Sequence, residues 1–516
     1  MLSRHSHIAA LLLGLVSATG FAPWELWPLT LAALALLMLL VERADQLKSA
    51  LLRGWWFGVG HFAAGLNWIA HAFTFQDAMP HWFGYGAVVL LSLYLAVYPA
   101  MAAGLAWRYG RQDRRQFVLF FAVAWMVTEW LRANMFTGFA WNPLGVIWVA
   151  VLPLADSARW IGTYGLSALT ALAAGTILLL LSGKHRRFAA LTTGLIFLFA
   201  GAAFLSKPAV PPLRKDVPVR IVQPNIGQQY KHVEAYEEPN FLKLEGLSGQ
   251  PSAAPRLLFW PEAAVPAILD LEPHWRDRLA AVLGPDELLM TGGLKLYYEI
   301  QDKNGFRETV LTGANNSLWV LTPDSRLIGR YDKAHLVPYG EYLPMRELLQ
   351  PLGLSRLVPG DADFWPGPGP QTLALPGAGG RPPLKMGVQI CYEIIFSGHV
   401  VEEKNRPDFL FNPSNDAWFG SWGPPQHLAQ ARLRALEEGM PVIRSTPTGI
   451  SAVIGPDGAL LAKLPLAKAG YLETFLPQKQ APTPFSRMGN FTSFLFAALI
   501  FLSAIALRRR SRYRSI

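Results

Sequence analysis

The chain of 516 residues has a single cysteine, Cys391, and only 16% of its residues are charged. One thiol excludes an intramolecular disulfide and any zinc site built from several cysteines, and it leaves the redox compartment unreadable from cysteine usage. The shortage of charge stands against 52% hydrophobic residues, 18 tryptophans and a mean hydropathy of +0.24, which excludes an ordinary soluble protein and points to a membrane protein. Basic residues outnumber acidic ones by 46 to 36, a net charge of +10. They fall in short clusters beside apolar runs, so a membrane surface rather than nucleic acid is the expected partner.

Apolar runs at 7–21, 23–41, 54–73, 83–107, 117–131, 160–181, 188–205 and 491–507 are read as membrane-crossing helices. Arginine and lysine gather before the first run (Arg4), after the second (Arg43, Lys48, Arg53), after the fourth (Arg108, Arg111, Arg114, Arg115), after the sixth (Lys184, Arg186, Arg187) and in the tail from Arg508 to Arg514. The positive-inside rule puts all of these on the cytoplasmic side, which requires an even number of spans, and eight satisfies every loop. The stretch 138–155 is apolar too, but it carries Asn142, Pro143 and Pro153, and counting it would invert every later loop; it is read as re-entrant. The expected organisation is therefore transmembrane helices over 1–206, an extracytoplasmic folded domain over 207–485, a last transmembrane helix over 486–507 and a basic cytoplasmic tail over 508–516. Within the spans, His61, Asn67, His71 and Glu129 are expected to serve as packing contacts between helices.

In the 207–485 region, strand-like runs at 217–223, 256–260, 287–291, 317–321, 384–391, 409–412, 442–446 and 450–454 are mostly continuous rather than alternating, which predicts a sheet covered on both faces by helices. Helices are expected over 263–282 and over 424–438, the latter bounded by Pro424, Pro425 and Gly439. Glu262 and Cys391 each end an apolar strand, where α/β folds place reactive groups, and Lys333 lies in a loop bounded by Pro338 and Gly340. A glutamate beside Trp260 can take a thiol proton, the thiolate can attack a carbonyl, and an ammonium can hold the resulting oxyanion. Taken singly, Cys391 reads as a small buried hydrophobe, Glu262 as the cap of the next helix and Lys333 as a surface charge paired with Asp332 or Glu341. Together the three favour chemistry. His335, His399 and His427 have no partner cysteines or carboxylates at ligand spacing, so neither metal nor cofactor is expected. Asn225, Asn315 and Asn316 are read as turn residues.

The stretches around Glu262, Lys333 and Cys391 resemble those of the nitrilase superfamily. The longer pieces Lys333-Ala334-His335-Leu336-Val337-Pro338-Tyr339-Gly340-Glu341-Tyr342-Leu343-Pro344 and Asn415-Asp416-Ala417-Trp418-Phe419-Gly420, inside a membrane chain, resemble its membrane-anchored branch, the apolipoprotein N-acyltransferase family. The resemblance implies a multi-span α-helical membrane domain carrying an αββα sandwich, with Glu262 as general base, Lys333 as oxyanion stabiliser and Cys391 as nucleophile. It also implies that Glu341, Tyr392 and Glu393 belong to the site: Glu341 would hold Lys333, Glu393 would orient the loop after the nucleophile, and the Tyr392 N–H would donate to the oxyanion. The implied reaction moves an acyl chain from a phospholipid, through a Cys391 thioester, to the amino-terminal amine of the diacylglyceryl cysteine of an apolipoprotein. The implied setting is a monomer in the bacterial inner membrane with its catalytic domain on the periplasmic face. Such a thioester must be kept from water, and Trp418, with Phe419, Trp422, Phe364 and Trp365, is expected to supply a lid or a membrane-dipping loop. The alternative is a membrane-tethered amidase or nitrile hydrolase with water as acceptor; a transporter or scaffold would leave the coincidence of three stretches unexplained. Lys333→Ala is expected to lose rate without unfolding the chain.

Overall fold

Apolar sequence that no small core can bury folds here as helices. The structure is a computed structural model describing residues 5–75, 80–183, 185–231, 233–303, 306–352 and 363–513. Its first part is α1 (Ser6–Ser17), α2 (Trp27–Glu42), α3 (Leu47–Gly65), α4 (Ile69–Ala72), α5 (Phe83–Leu95), α6 (Val97–Gly110), α7 (Arg114–Asn134), α8 (Leu152–Ala155), α9 (Ala158–Leu181) and α10 (Arg186–Leu205). Among the described residues five helical stretches are long and apolar enough to cross a membrane: Phe83–Gly110, Arg114–Asn134, Ala158–Leu181, Arg186–Leu205 and Phe491–Arg509; Ser6–Gly20 and Trp27–Glu42 are shorter apolar helices. Arg4, Lys184 and Arg514 lie outside the described residues.

Helices in hydrocarbon associate by close packing, and α1 meets α3 through glycines. A Cβ on Gly14 would lie 2.0 Å from the Phe57 carbonyl oxygen, and one on Gly60 would lie 2.2 Å from that of Leu11. His61 makes a 2.7 Å hydrogen bond with Ser17 beside this crossing, a packing contact as expected, whereas Asn67, in the turn after α3, donates to the Ala64 carbonyl near the end of that helix. The stretch 138–155 is a 3-10 segment, Leu144–Ala150, followed by the single turn α8. Its backbone is satisfied from neighbouring helices: Glu129 of α7 accepts from the Leu144 N–H and Ser167 of α9 from the Gly145 N–H, each at 2.8 Å. The irregular segment is thus buried in protein with these backbone groups paired.

The second part is β1 (Leu213–Gln223), α11 (Glu234–Ser248), β2 (Leu257–Phe259), α12 (Pro273–Ala280), β3 (Leu288–Lys303), β4 (Phe306–Leu321), β5 (Leu327–Asp332), α13 (Arg346–Leu349), β6 (Thr372–Leu375), β7 (Leu384–Val388), β8 (Phe409–Pro413), α14 (Gly423–Glu438), β9 (Val442–Ser445), β10 (Ala452–Ile454), β11 (Leu460–Lys463) and β12 (Gly470–Pro477). Then come α15 (Pro484–Met488) and α16 (Phe491–Tyr513). The strands form two six-stranded sheets, ordered β12-β1-β2-β3-β4-β5 and β11-β10-β9-β8-β7-β6. Within them β1, β2 and β3 run parallel, as do β7, β8 and β9. In β2, Leu257 and Phe259 enter the core between the sheets, with the Phe259 ring 4.7 Å from that of Phe411, while Leu258 and the following Trp260 pack with Phe241 of α11 and Leu279 of α12. Both faces of the strand are covered, which is why its sequence does not alternate. With α14 against the second sheet, the layers are αββα.

The helix expected over 263–282 is present only as α12. Ala263 has a φ of +45°, Pro266 has no N–H to give, and Pro273 takes the first helical turn instead, where its fixed φ fits. Glu262 therefore does not cap a helix. At the end of the chain α16 runs on through Tyr513, so the last apolar run and the start of the basic tail form one helix.

α14 joins the two parts. Glu437 accepts from the Thr163 N–H at 2.6 Å and pairs with Arg434 at 2.8 Å, and Gln426 accepts from the Trp141 indole at 2.8 Å. Phe485 lies where Gly162, at φ +65°, leaves room; a Cβ there would come within 2.2 Å of the ring.

Candidate active site

β7 ends at Val388, and Cys391 opens a 3-10 turn, Cys391–Ile395, with a φ of +51°. For a residue with a Cβ this conformation costs about 1–3 kcal/mol and persists only where its surroundings enforce it. Glu393 supplies part of that enforcement. One carboxylate oxygen accepts from the Ile390 N–H at 2.6 Å; the other accepts from the Tyr331 hydroxyl (2.8 Å), the Ala334 N–H (2.7 Å) and the His335 N–H (3.1 Å). The cysteine turn is thereby tied to the loop carrying Lys333.

From behind, the Cys391 carbonyl accepts from His427 Nε2 at 3.0 Å and from the Asn412 amide at 3.4 Å. Burial and the nearby Arg444 push the His427 pKa down; Nε2–H donates to the carbonyl, and Nδ1 lies 2.9 Å from Asp416 Oδ1 and 3.0 Å from the Arg444 guanidinium. Burial works against the Asp416 carboxylate, but Arg444, at 2.6 Å, and His427 outweigh it and hold its pKa below the ordinary value. Because Asp416 and Arg444 are fully buried, Arg444→Leu leaves a carboxylate without its cation, a loss of about 3–5 kcal/mol in stability. Thermal unfolding of the detergent-solubilised chain measures it, and a near wild-type melting temperature would contradict the account.

Burial and the Glu262 carboxylate push the Cys391 thiol well up in pKa, while the Lys333 ammonium and the Asn415 N–H favour the thiolate. The resting thiol is neutral and needs a base. Glu262, turning off the end of β2, has one carboxylate oxygen bonded to the Asn316 amide at 2.7 Å; the other is buried and has no hydrogen-bond partner, an acceptor open to a proton. Lys333, 1% exposed at the end of β5, lies 2.9 Å from Glu341 and 3.8 Å from Glu262. Burial opposes its charge, but the two carboxylates outweigh burial and raise its pKa, so the ammonium persists. Glu341 in turn accepts from the Val337 N–H at 2.8 Å and the Asn316 amide at 3.0 Å.

Asn316 thus bridges both carboxylates, and Asn315 donates to the Trp365 carbonyl at 2.7 Å; neither is the turn residue expected from sequence. Both lie inside β4, paired with Leu294 and Lys295 of β3, because that strand begins well before the apolar run 317–321. The signal available in sequence was a pair of amides running straight into an apolar strand. Asn225, by contrast, has the positive φ (+52°) of a turn asparagine.

These groups open onto a cavity of about 1350 Å³ between the domain and the first helices. Glu262, Lys333, Glu341, Cys391 and Tyr392 line one part, Trp82, Phe83, Leu90 and Tyr94 of the α4–α5 region another. Tyr392 is buried, its hydroxyl 3.4 Å from the Gly138 carbonyl. Of the aromatic residues expected to form a lid, Trp418, Phe419 and Phe364 line the cavity. Trp365 instead stacks on Tyr297 with ring centres 5.0 Å apart, and Trp422 packs against Trp24 at 5.9 Å. His335 stacks on Phe396, and among the described residues no group of three His, Cys, Asp or Glu side chains is placed to hold a metal ion.

Residues 13–176 match the family model described as the apolipoprotein N-acyltransferase N-terminal domain, and residues 219–480 that described as carbon-nitrogen hydrolase. An apolipoprotein N-acyltransferase of Rhodopseudomonas palustris is 34% identical over 98% of this chain and 95% of its own. The chain belongs to the apolipoprotein N-acyltransferase family. A second member, from Caulobacter vibrioides, is 35% identical over 97% of this chain and 94% of its own. Among solved structures, an amidase from Nesterenkonia sp. AN1 is similar over 55% of this chain and 96% of its own, with 14% identity and a TM-score of 0.33. As an apolipoprotein N-acyltransferase family member, the chain is a membrane protein whose nitrilase-like domain meets its helices at the cavity just described.

Proposed function

We propose that the chain transfers an acyl group from a phospholipid to the amino-terminal amine of the diacylglyceryl cysteine of apolipoproteins, with Glu262, Lys333 and Cys391 as its catalytic residues. The observation carrying this reading is the buried thiol, beside a free carboxylate oxygen and a caged ammonium, at one part of an apolar cavity whose other walls are membrane helices. An acyl chain moving from bilayer to such a cavity avoids the ~0.8 kcal/mol per CH₂ that exposure to water would cost.

Glu262 takes the Cys391 proton, and the thiolate attacks the ester carbonyl. Lys333 and the Tyr392 N–H hold the oxyanion in a water-poor pocket. Collapse expels the lysophospholipid alkoxide, which recovers the proton from Glu262, and leaves a thioester on Cys391. The acceptor amine then attacks the thioester, Glu262 takes its proton, and the thiolate departs as the amide forms.

The domain follows the C-terminal end of α10 and precedes the N-terminal end of α16, while the basic clusters lie in the loops at the other ends of the spans. By the positive-inside rule this supports an inner-membrane protein with its catalytic domain on the periplasmic face. We assign a monomer.

Incubation with phosphatidylethanolamine labelled in its acyl chain, plus a diacylglyceryl-cysteine peptide, tests the reading. Label is expected in the peptide amide. Release of the label as free fatty acid, with the peptide unmodified, would instead support the hydrolase with water as acceptor.

A further inference from the structure

A second lysine approaches the site from a segment that neither the sequence motifs nor the mechanism uses. Lys231 follows the 3-10 turn Gln228–Tyr230, between β1 and α11, and is 9% exposed. Its ammonium donates to the backbone carbonyl of Glu262 at 2.8 Å. That carbonyl sits in a constrained turn: Ala263 has a φ of +45°, the Pro261 carbonyl accepts from the Gly292 N–H at 3.2 Å, and a Cβ on Gly292 would come within 2.8 Å of Glu262 Cα. The same short segment reaches the thiol side as well, because Gln228 accepts from the Asn415 amide at 2.8 Å, and Asn415 gives its backbone N–H to Cys391.

Charge gives this placement its meaning. Glu262 and Glu341 are two buried carboxylates, and Lys333 balances one of them. Moving the thiol proton onto Glu262 leaves the total unchanged, with a thiolate in place of one carboxylate. With Lys231 protonated, the set is neutral before and after the transfer; without it, a net negative charge remains in a low-dielectric site, where the thiolate is penalised.

We propose that Lys231 is a positioning residue for the reaction assigned above: it fixes the Glu262 turn and supplies the second positive charge against which the Cys391 thiolate forms. The proposal rests on that assigned reaction. Among the described residues, the charged or titratable groups that face Lys231 are Glu262 and Cys391 across the site and Glu237 of α11, which lines the small cleft at the ammonium with Asn240. Burial lowers the Lys231 pKa to about 8, against the upward pull of Glu262 and Cys391. The charge is present below that pH and lost as pH rises through it, whereas Lys333 keeps its charge over the same range.

The test follows acylation of the full-length chain by labelled phosphatidylethanolamine from about pH 6 to 10, in the wild type, Lys231→Met and Lys231→Arg, with melting temperatures alongside. The wild-type rate is expected to fall as pH rises through about 8. Lys231→Met is expected to acylate about 10- to 100-fold more slowly at pH 7 and to lack that alkaline fall, having no ammonium to lose. Lys231→Arg, charged throughout, is expected to recover most of the rate and also to lack the fall. A wild-type rate and alkaline fall in Lys231→Met would overturn the proposal. So would an alkaline fall retained in Lys231→Arg, which decides the matter even if the methionine variant does not fold. If the wild type itself carried no acyl group on Cys391, the assigned reaction would fail; if it did and the Lys231 variants behaved as wild type, only the role of Lys231 would.

Discussion

Cys391→Ala forms no acyl-enzyme and transfers acyl groups at least about 10⁴-fold more slowly than the wild type, the scale of loss when a covalent nucleophile is deleted. The substitution removes one sulfur from a fully packed turn. Its direct cost in stability is small beside its chemical cost, and the backbone strain is unchanged because alanine, like cysteine, must hold the +51° φ that Glu393 and His427 impose. The melting temperature is therefore expected to stay close to that of the wild type. Transfer assays with labelled phospholipid, read beside thermal unfolding, separate the two effects, and a variant that melts normally yet transfers at the wild-type rate would remove Cys391 from the mechanism.

Lys333→Met is expected to lose both rate and stability. Sequence alone suggested a rate effect only, as for a lysine in a solvated loop, but Lys333 is 1% exposed and lies between Glu341 and Glu262. Taking away the ammonium leaves two buried carboxylates without their shared cation, a cost of about 3–5 kcal/mol. Loss of the oxyanion partner slows acylation by a further ~10²–10³-fold. The double variant Lys333→Met with Glu341→Gln distinguishes these contributions: it is expected to regain much of the melting temperature, since a neutral amide replaces one unpaired carboxylate, while acylation stays slow. Recovery of rate with stability would place Lys333 in a structural role alone.

Sequence carried the parts of this site that sit where a strand stops. Glu262 and Cys391 announced themselves as polar residues closing apolar runs, and α14 was legible because Pro424 and Gly439 mark its ends, the latter with the left-handed φ of +61° that a helix terminus favours. The longer apolar helices were legible because membrane depth demands length. What stayed hidden depends on contacts distant in sequence. Asn316 meets Glu262 across 54 residues and Lys231 meets Glu262 across 31, and neither pairing leaves a periodic trace. Strands β11 and β12 alternate in burial and carry charged residues on their outer faces, so they lack the continuous apolar run that marked the central strands. The helix expected over 263–282 failed for a local reason that the sequence did contain, Pro266 and Pro273 within one stretch, which the apolar pattern around them masked.

The most direct test of the account omits the acceptor. The purified chain, exposed to a phospholipid of one defined acyl composition and then digested, is expected to yield the peptide containing Cys391 heavier by one acyl group, with the added mass removed by hydroxylamine as a thioester requires. An acyl group found on another residue, or an unmodified Cys391 peptide from enzyme that goes on to transfer, would contradict it.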